Sequence, residues 1–177
     1  MALTDKLTAI ANAIRAKDGT SDTMTLEEMP SKIAAIQGGA TEPYIEETYD
    51  QNGNLISATL HGHTVLRNNA FNGCSSLESI SLPSGIMDIG NSAFSGCSSL
   101  ALINLPSSIK TIGSSAFQSC SGLTSITFEG TPESIGSYAF YNCQNLTTIN
   151  VPWAEGAVAG APWGATNATI NYNYTGA

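Results

Sequence analysis

Apolar residues recur at fixed positions from about residue 66 to residue 153, and equivalent positions are always 23 residues apart. The motif Ala-Phe-x-x-Cys marks each copy and begins at Ala70, Ala93, Ala116 and Ala139. Each copy continues with Leu-x-x-Ile-x-Leu or a close variant, in which the last three positions alternate between apolar and polar residues. Such alternation is typical of a short strand with one buried face. Because one copy cannot bury its apolar face alone, the pattern predicts four stacked turns of a solenoid.

The complete repeat reads Ile-Gly-x-x-Ala-Phe-x-x-Cys-x-x-Leu-x-x-Ile-x-Leu-Pro. Over residues 55–153 it closely resembles the BspA-like leucine-rich repeats of bacterial surface and phage-associated proteins. The resemblance implies an α/β repeat solenoid with short parallel strands and a concave face that binds ligands. It says little about the partner, because solenoids of this kind serve many functions.

Two caps are predicted for the open ends of the stack. At the N-terminal end, Asn52-Gly53 separates the segments 44–49 and 55–60, and this dipeptide is a strong signal for a β-hairpin. The hairpin over residues 44–60 therefore starts the solenoid, which occupies residues 41–177. At the C-terminal end the repeat is lost after Trp153, and residues 154–177 form the second cap. Alternating Ile170, Tyr172 and Tyr174 predict a last strand there.

Residues 1–40 have a different pattern. Leu3, Leu7, Ile10 and Ile14 fall on one face of a helix, and a second short helix follows Thr25. A helical pair of this size is too small to be stable alone. We expect it to pair with a second copy or to dock on a partner protein.

Residues 7–36 also resemble a short N-terminal module of prophage tail-associated and minor structural proteins. The segments 151–156 and 161–166 resemble the C-terminus of the same proteins. The resemblance implies a virion-associated protein that residues 1–40 attach to phage structural proteins.

Charge narrows the classes of partner. The chain has 14 acidic and 6 basic residues, and its net charge is −8. Nucleic-acid binding depends on Lys and Arg neutralising phosphates, so we expect no nucleic acid and no anionic membrane as partner. The first residues lack the basic and apolar regions of a signal peptide. We therefore expect a protein made in the cytoplasm that leaves the cell by lysis or within a particle.

The sequence predicts no catalytic residue, metal site or cofactor. The four cysteines, Cys74, Cys97, Cys120 and Cys143, match no zinc-binding spacing, and we expect a ladder of buried, reduced thiols. His61 and His63, with Glu46 or Glu47, could form a zinc site, but two surface histidines are the simpler interpretation. The serines of the repeats have no histidine nearby to activate them.

Two surfaces are candidates for binding. The first is the concave face, formed by the outward strand positions Ser79, Ser81, Leu102, Asn104, Ser125, Thr127, Thr148 and Asn150. The second is an aromatic contact at Tyr138 and Tyr141, which replace the polar residues of other copies. Aromatic rings stack on sugars and anchor protein interfaces.

These patterns favour a non-enzymatic recognition or adhesion module. Its partner would be a protein or glycan on a bacterial surface. Two alternatives remain open at this point: a structural assembly or decoration protein without a ligand, and a surface adhesin of the bacterium itself.

Overall fold

The computed structural model describes residues 43–176, and this part of the chain contains eleven strands and no helix. The strands in chain order are β1 Tyr44–Tyr49, β2 Leu55–His61, β3 Val65–Leu66, β4 Ser79–Ser81, β5 Asp88–Ile89, β6 Leu102–Leu105, β7 Thr111–Ile112, β8 Ser125–Phe128, β9 Ser134–Ile135, β10 Thr148–Asn150 and β11 Thr169–Asn171. The predicted helical pair of residues 1–40 lies outside the described residues.

The repeats fold as a β-solenoid of about five turns, so the predicted α/β class is wrong for residues 43–176. The reason is local backbone conformation in the segment that returns from one strand to the next. In one copy Ser92 and Gly96, four residues apart, have φ angles of 53° and 77°. Left-handed residues at this interval interrupt any right-handed helix. The return segment is therefore a series of tight turns.

Three sheets run along the solenoid. One contains β1, β2 and β4, the second contains β6, β8, β10 and β11, and the third contains β3, β5, β7 and β9. Within each sheet, strands from successive turns pair in parallel, whereas β1 and β2 pair antiparallel as the predicted hairpin. The predicted C-terminal strand is present as β11, which pairs in parallel with β10.

The core consists of the columns that the repeat predicts. Leu77 and its three equivalents are fully buried, and so are the later members of the Ile and Leu columns of the strands. The phenylalanines of the Ala-Phe-x-x-Cys motif form a continuous parallel stack, with ring centroids 5.1–5.5 Å apart: Phe71, Phe94, Phe117 and Phe140. This stack is the centre of the hydrophobic core, since large apolar side chains dominate the free energy of burial.

A column of glycines allows successive turns to approach closely. A Cβ atom on Gly113 would lie 2.5 Å from the backbone N of Asn91 and 2.6 Å from the carbonyl carbon of Gly90. Gly90 and Gly136 occupy equivalent positions with equally short distances. Only glycine fits this position without moving the neighbouring turn.

Both ends of the solenoid are closed as the sequence predicts. At the hairpin, the Asp50 carboxylate accepts hydrogen bonds of 2.8 Å from the backbone N–H groups of Asn52 and Asn54 and from the Asn54 amide. At the other end, Trp153 and Trp163 are buried. Trp163 packs edge-on against Phe140, the last ring of the phenylalanine stack.

Candidate functional site

The eight residues predicted for the concave face lie in two rows across β4, β6, β8 and β10. One row is Ser79, Leu102, Ser125 and Thr148, and the other is Ser81, Asn104, Thr127 and Asn150. We call these eight residues the polar strand face. Its side chains lie outside the core because the intervening residues are buried in β6, β8 and β10 and half-buried in β4. None of the eight is charged.

Hydrogen bonds tie part of the second row together. The Asn150 amide donates to the Thr127 hydroxyl at 3.3 Å, and the Asn171 amide donates to Asn150 Oδ1 at 2.8 Å. Amide and hydroxyl groups each have more donors and acceptors than these bonds use. The row therefore presents further hydrogen-bonding groups to a partner.

A gap divides the polar strand face between β4 and β6, because these neighbouring strands belong to different sheets. A cleft of about 340 Å³ lies at this gap, and Ser81, Leu102, Asn104 and Glu129 are among the residues that line it. Leu102 is 61% exposed, although the equivalent position in β4, β8 and β10 holds Ser or Thr. An exposed apolar side chain beside a cleft is a suitable anchor for a partner.

The structure extends the polar strand face beyond the predicted residues. Ser57 and Thr59 of β2 pair with Ser79 and Ser81, and Thr169 and Asn171 of β11 pair with Thr148 and Asn150. In the sequence, these residues of β2 and β11 show the same alternation of polar and apolar positions as the other strands. It was missed as a binding surface because the surrounding repeat motif is degenerate in both segments.

Tyr138 and Tyr141 lie in the turn after β9, and this strand belongs to a different sheet from the polar strand face. The structure therefore does not bring the two predicted surfaces together on one sheet. The two tyrosine rings pack edge to face with centroids 5.5 Å apart. Their exposed fractions are 62% and 47%.

The four cysteines are free thiols, and three of them form the predicted buried ladder. Each buried thiol donates a hydrogen bond of 3.0–3.1 Å to the carbonyl of a phenylalanine 26 residues earlier: Cys97 to Phe71, Cys120 to Phe94 and Cys143 to Phe117. Burial raises the pKa of Cys97 to about 12, and the neighbouring Cys74 thiol adds to this shift. The prediction of a fully buried ladder is wrong at Cys74, which is only half-buried because no complete repeat covers it.

The two histidines have separate surroundings. The His61 ring stacks on Tyr44 with centroids 4.4 Å apart, and its Nε2 lies 3.3 Å from a Glu46 carboxylate oxygen. His63 Nδ1 lies 3.0 Å from the backbone carbonyl of His61. Between residues 43 and 176, no three His, Cys, Asp or Glu side chains are grouped so that they could hold a metal ion.

A second groove, of about 650 Å³, lies along β3, β5 and β7. Several of its polar groups are already paired with each other. The Thr111 hydroxyl donates to Asp88 at 2.6 Å, and Asn68 Oδ1 accepts from the Asn91 backbone N–H at 2.8 Å. Fewer polar groups of this groove are therefore free to hydrogen-bond a ligand.

No helix that is long and apolar enough to cross a membrane is present in the described part of the chain. The family model of the BspA type leucine rich repeat region matches residues 45–155 in six copies. It thus includes two copies more than the four predicted, and the match begins within the N-terminal hairpin. A search of the curated proteins found no match.

Two solved structures are similar to this chain. A leucine-rich repeat protein from Bacteroides ovatus is 29% identical with a TM-score of 0.61, and the match covers 70% of this chain and 31% of that protein. The T. pallidum leucine rich repeat protein is 27% identical with a TM-score of 0.50, and the match covers 60% of this chain and 57% of that protein. This chain therefore spans less than two thirds of the length of either structure.

Proposed function

We propose that this chain, which belongs to the BspA-type leucine-rich repeat family, is a non-enzymatic recognition module that binds a bacterial surface component through its polar strand face. The observation that carries the proposal is the pair of uncharged hydroxyl and amide rows, interrupted by a cleft with the exposed Leu102 beside it. A surface with unused hydrogen-bonding groups around an apolar anchor suits specific contact with a partner.

Charge argues against an anionic partner for this surface. The described residues include eight carboxylates but only two cations, Arg67 and Lys110. Neither cation lies on a strand that carries the polar strand face. An anionic partner would meet no compensating positive charge there, and such compensation sets specificity at interfaces.

Attachment to a larger assembly is the second part of the proposal. Residues 1–40 would join the solenoid to phage structural proteins, or to a second copy of the chain, and the protein would be a component of a phage tail. The support is the resemblance of residues 7–36, 151–156 and 161–166 to prophage tail-associated proteins. Sequencing the DNA on both sides of the coding region tests this part. Tail, baseplate or endolysin genes are the expected neighbours, whereas secretion or surface-anchoring genes would favour a bacterial adhesin instead.

A matched pair of charge substitutions tests the recognition surface in the full chain. Asn104→Lys places a long cation in the middle of the polar strand face, while Ser99→Lys makes the same charge change at an exposed turn. The assay measures how much labelled protein sediments with host cells. We expect Asn104→Lys to lose binding and Ser99→Lys to retain it.

Equal binding by both variants would place the binding surface elsewhere. No binding of the unsubstituted protein to any host cell would favour the alternative of a purely structural assembly or decoration protein. Thermal unfolding of both variants serves as the control for folding, since an exposed substitution away from caps and core changes stability by only about 0.5 kcal/mol.

A further inference from the structure

We infer that Tyr138 and Tyr141 form a second binding site, which takes an uncharged glycan by stacking of sugar rings on the tyrosine side chains. The inference rests on the general recognition role proposed above but does not depend on the polar strand face. We call the two residues the tyrosine pair.

The backbone at Tyr138 is the first observation. Its φ angle is 59°, in the left-handed region, and the equivalent residues Asn69, Ser92 and Ser115 have φ angles of 60°, 53° and 57°. Among residues other than glycine, asparagine adopts this conformation most readily, whereas a bulky residue does so at a cost in conformational energy. A tyrosine that is held in this conformation and is 62% exposed does not contribute to the core. Strain of this kind is found at functional sites.

The tyrosine pair is held on a fixed backbone. Phe140, between the two, donates its N–H to the Trp163 carbonyl at 3.0 Å, and the Tyr141 carbonyl accepts from the Ser119 N–H at 2.9 Å. The chain of the C-terminal cap passes directly beneath, so that a Cβ atom on Gly164 would lie 3.2 Å from the Cα atoms of both tyrosines. A rigid support lowers the entropy that a ligand must remove on binding.

The surroundings favour a glycan over a protein. The other large apolar residues that are exposed, among those described, are Ile45, Tyr49, Val65 and Leu102, and they lie on β1, β3 and β6. They do not extend the tyrosine pair into the broad apolar core that a protein interface needs. Two adjacent rings are instead sufficient for the face of a sugar.

Polar groups next to the tyrosine pair can hydrogen-bond sugar hydroxyls. The Asn142 amide donates to the Ser119 hydroxyl at 3.1 Å, and the Gln144 amide donates to Asn142 Oδ1 at 3.2 Å. Each amide retains a second N–H. Carboxylates outnumber cations in the described residues, so electrostatic repulsion disfavours an acidic glycan as the ligand.

The repeat itself supplies the variants that test the site. Tyr138→Ser and Tyr141→Gln restore the residues of the preceding copy, Ser115 and Gln118. The double variant removes both rings and places at residue 138 a serine, which the preceding copy holds in the same backbone conformation at Ser115. We expect its thermal midpoint to be equal to or above that of the unsubstituted protein. The double variant Tyr138→Phe, Tyr141→Phe keeps the rings and serves as the matched control.

The binding experiment is native electrophoresis of the full chain in gels that contain mannan, laminarin or dextran, with anionic polygalacturonate as the charge control. We expect at least one uncharged polysaccharide to retard the protein. The Ser/Gln double variant should bind about tenfold more weakly or not at all, whereas the Phe double variant and Asn104→Lys should bind as before.

Three results would overturn the inference. The first is that no uncharged polysaccharide retards the protein, and the second is that the Ser/Gln double variant is retarded equally. The third is concentration-dependent dimerisation that the Ser/Gln substitutions abolish, which would assign the tyrosine pair to contact with a second copy. None of these results changes the cell-binding test at Asn104, so the two proposals fail independently.

Discussion

Replacement of Gly113 by alanine should destabilise the solenoid. At sites where alanine fits without strain, the same replacement stabilises a protein, because alanine lowers the conformational entropy of the unfolded chain. The added Cβ would lie 2.5–2.6 Å from Asn91 N, Asn91 Oδ1 and Gly90 C. Ordinary contacts are about 3.5–4.0 Å, so the neighbouring turn would have to move by about 1 Å. It cannot move freely, because the Gly113 N–H donates to the Ile89 carbonyl at 2.8 Å and Asn91 Oδ1 accepts from the Ser114 N–H at 2.8 Å.

Overpacking of this kind lowers the free energy of unfolding by about 1–3 kcal/mol. The lower entropy of the unfolded chain raises it by about 0.4–1 kcal/mol. We therefore expect a net loss of about 1–2 kcal/mol. For a chain of this size the thermal midpoint falls by about 2–4 °C per kcal/mol, which gives a decrease of about 2–8 °C. Circular dichroism during heating measures the midpoint.

Gly85→Ala is the matched control. No heavy atom lies within 4 Å of a Cβ added at Gly85, and its φ angle is not positive. The control should unfold at the same temperature as the original protein or slightly above it. A Gly113→Ala variant that unfolds with the control would refute the argument that glycine is required for close stacking of the turns.

Three further predictions concern the thiols, the core and the hairpin. At pH 8 a thiol reagent such as dithionitrobenzoate should modify half-buried Cys74 first and reach the three buried cysteines only after addition of urea, because the folded core shields their sulfur atoms from the reagent and burial raises the pKa of Cys97 to about 12. Phe117→Ala should cost about 3–5 kcal/mol in urea unfolding, since it empties the middle of the phenylalanine stack; a cost below 1 kcal/mol would contradict this. Hydrogen bonds from the Asn54 side chain and backbone hold the pKa of Asp50 below its ordinary value of 3.8, so its stabilising effect should be complete above pH 3.8 and lost as the pH falls through the lower folded-state value. The difference in thermal midpoint between the original protein and Asp50→Asn should therefore shrink in acid, and a difference that grows there would contradict the assignment.

Residue pattern alone predicts the strands of the polar strand face, their stacking order and the hairpin, but it did not predict the two-residue strands β3, β5, β7 and β9. Alternation at Ile103 and Leu105 identified the buried positions of β6, because side chains on a strand alternate between two faces. The constant interval of 23 residues then aligned the strands across the turns. Asn52-Gly53 identified the hairpin turn, in which Gly53 has a φ angle of 81°.

Other features depend on contacts that the repeat pattern does not encode. Ser79-Ile80-Ser81 and Leu102-Ile103-Asn104 align in the motif, so nothing in the sequence indicates that β4 and β6 fail to pair. The left-handed conformation of Ser92 interrupts the helix that the leucine-rich repeat resemblance implied, although serine itself is compatible with a helix. Donation from the buried thiols to phenylalanine carbonyls was also missed, since it depends on the orientation of groups in different turns.

The hydrogen bonds between turns repeat at a fixed interval, so the length of the solenoid can change by whole turns of 23 residues. Asn68 with Asn91, Asn91 with Ser114, and Asp88 with Thr111 are all partners 23 residues apart. Removal of residues 90–112 would join Ile89 to Gly113 and so re-create the Ile-Gly pair that Ile89 forms with Gly90 in the intact chain. Each unit gained or lost moves the hairpin end relative to the tryptophan end by about 4.8 Å. Gene duplication could therefore adjust the separation between the hairpin and the C-terminal cap without a new fold.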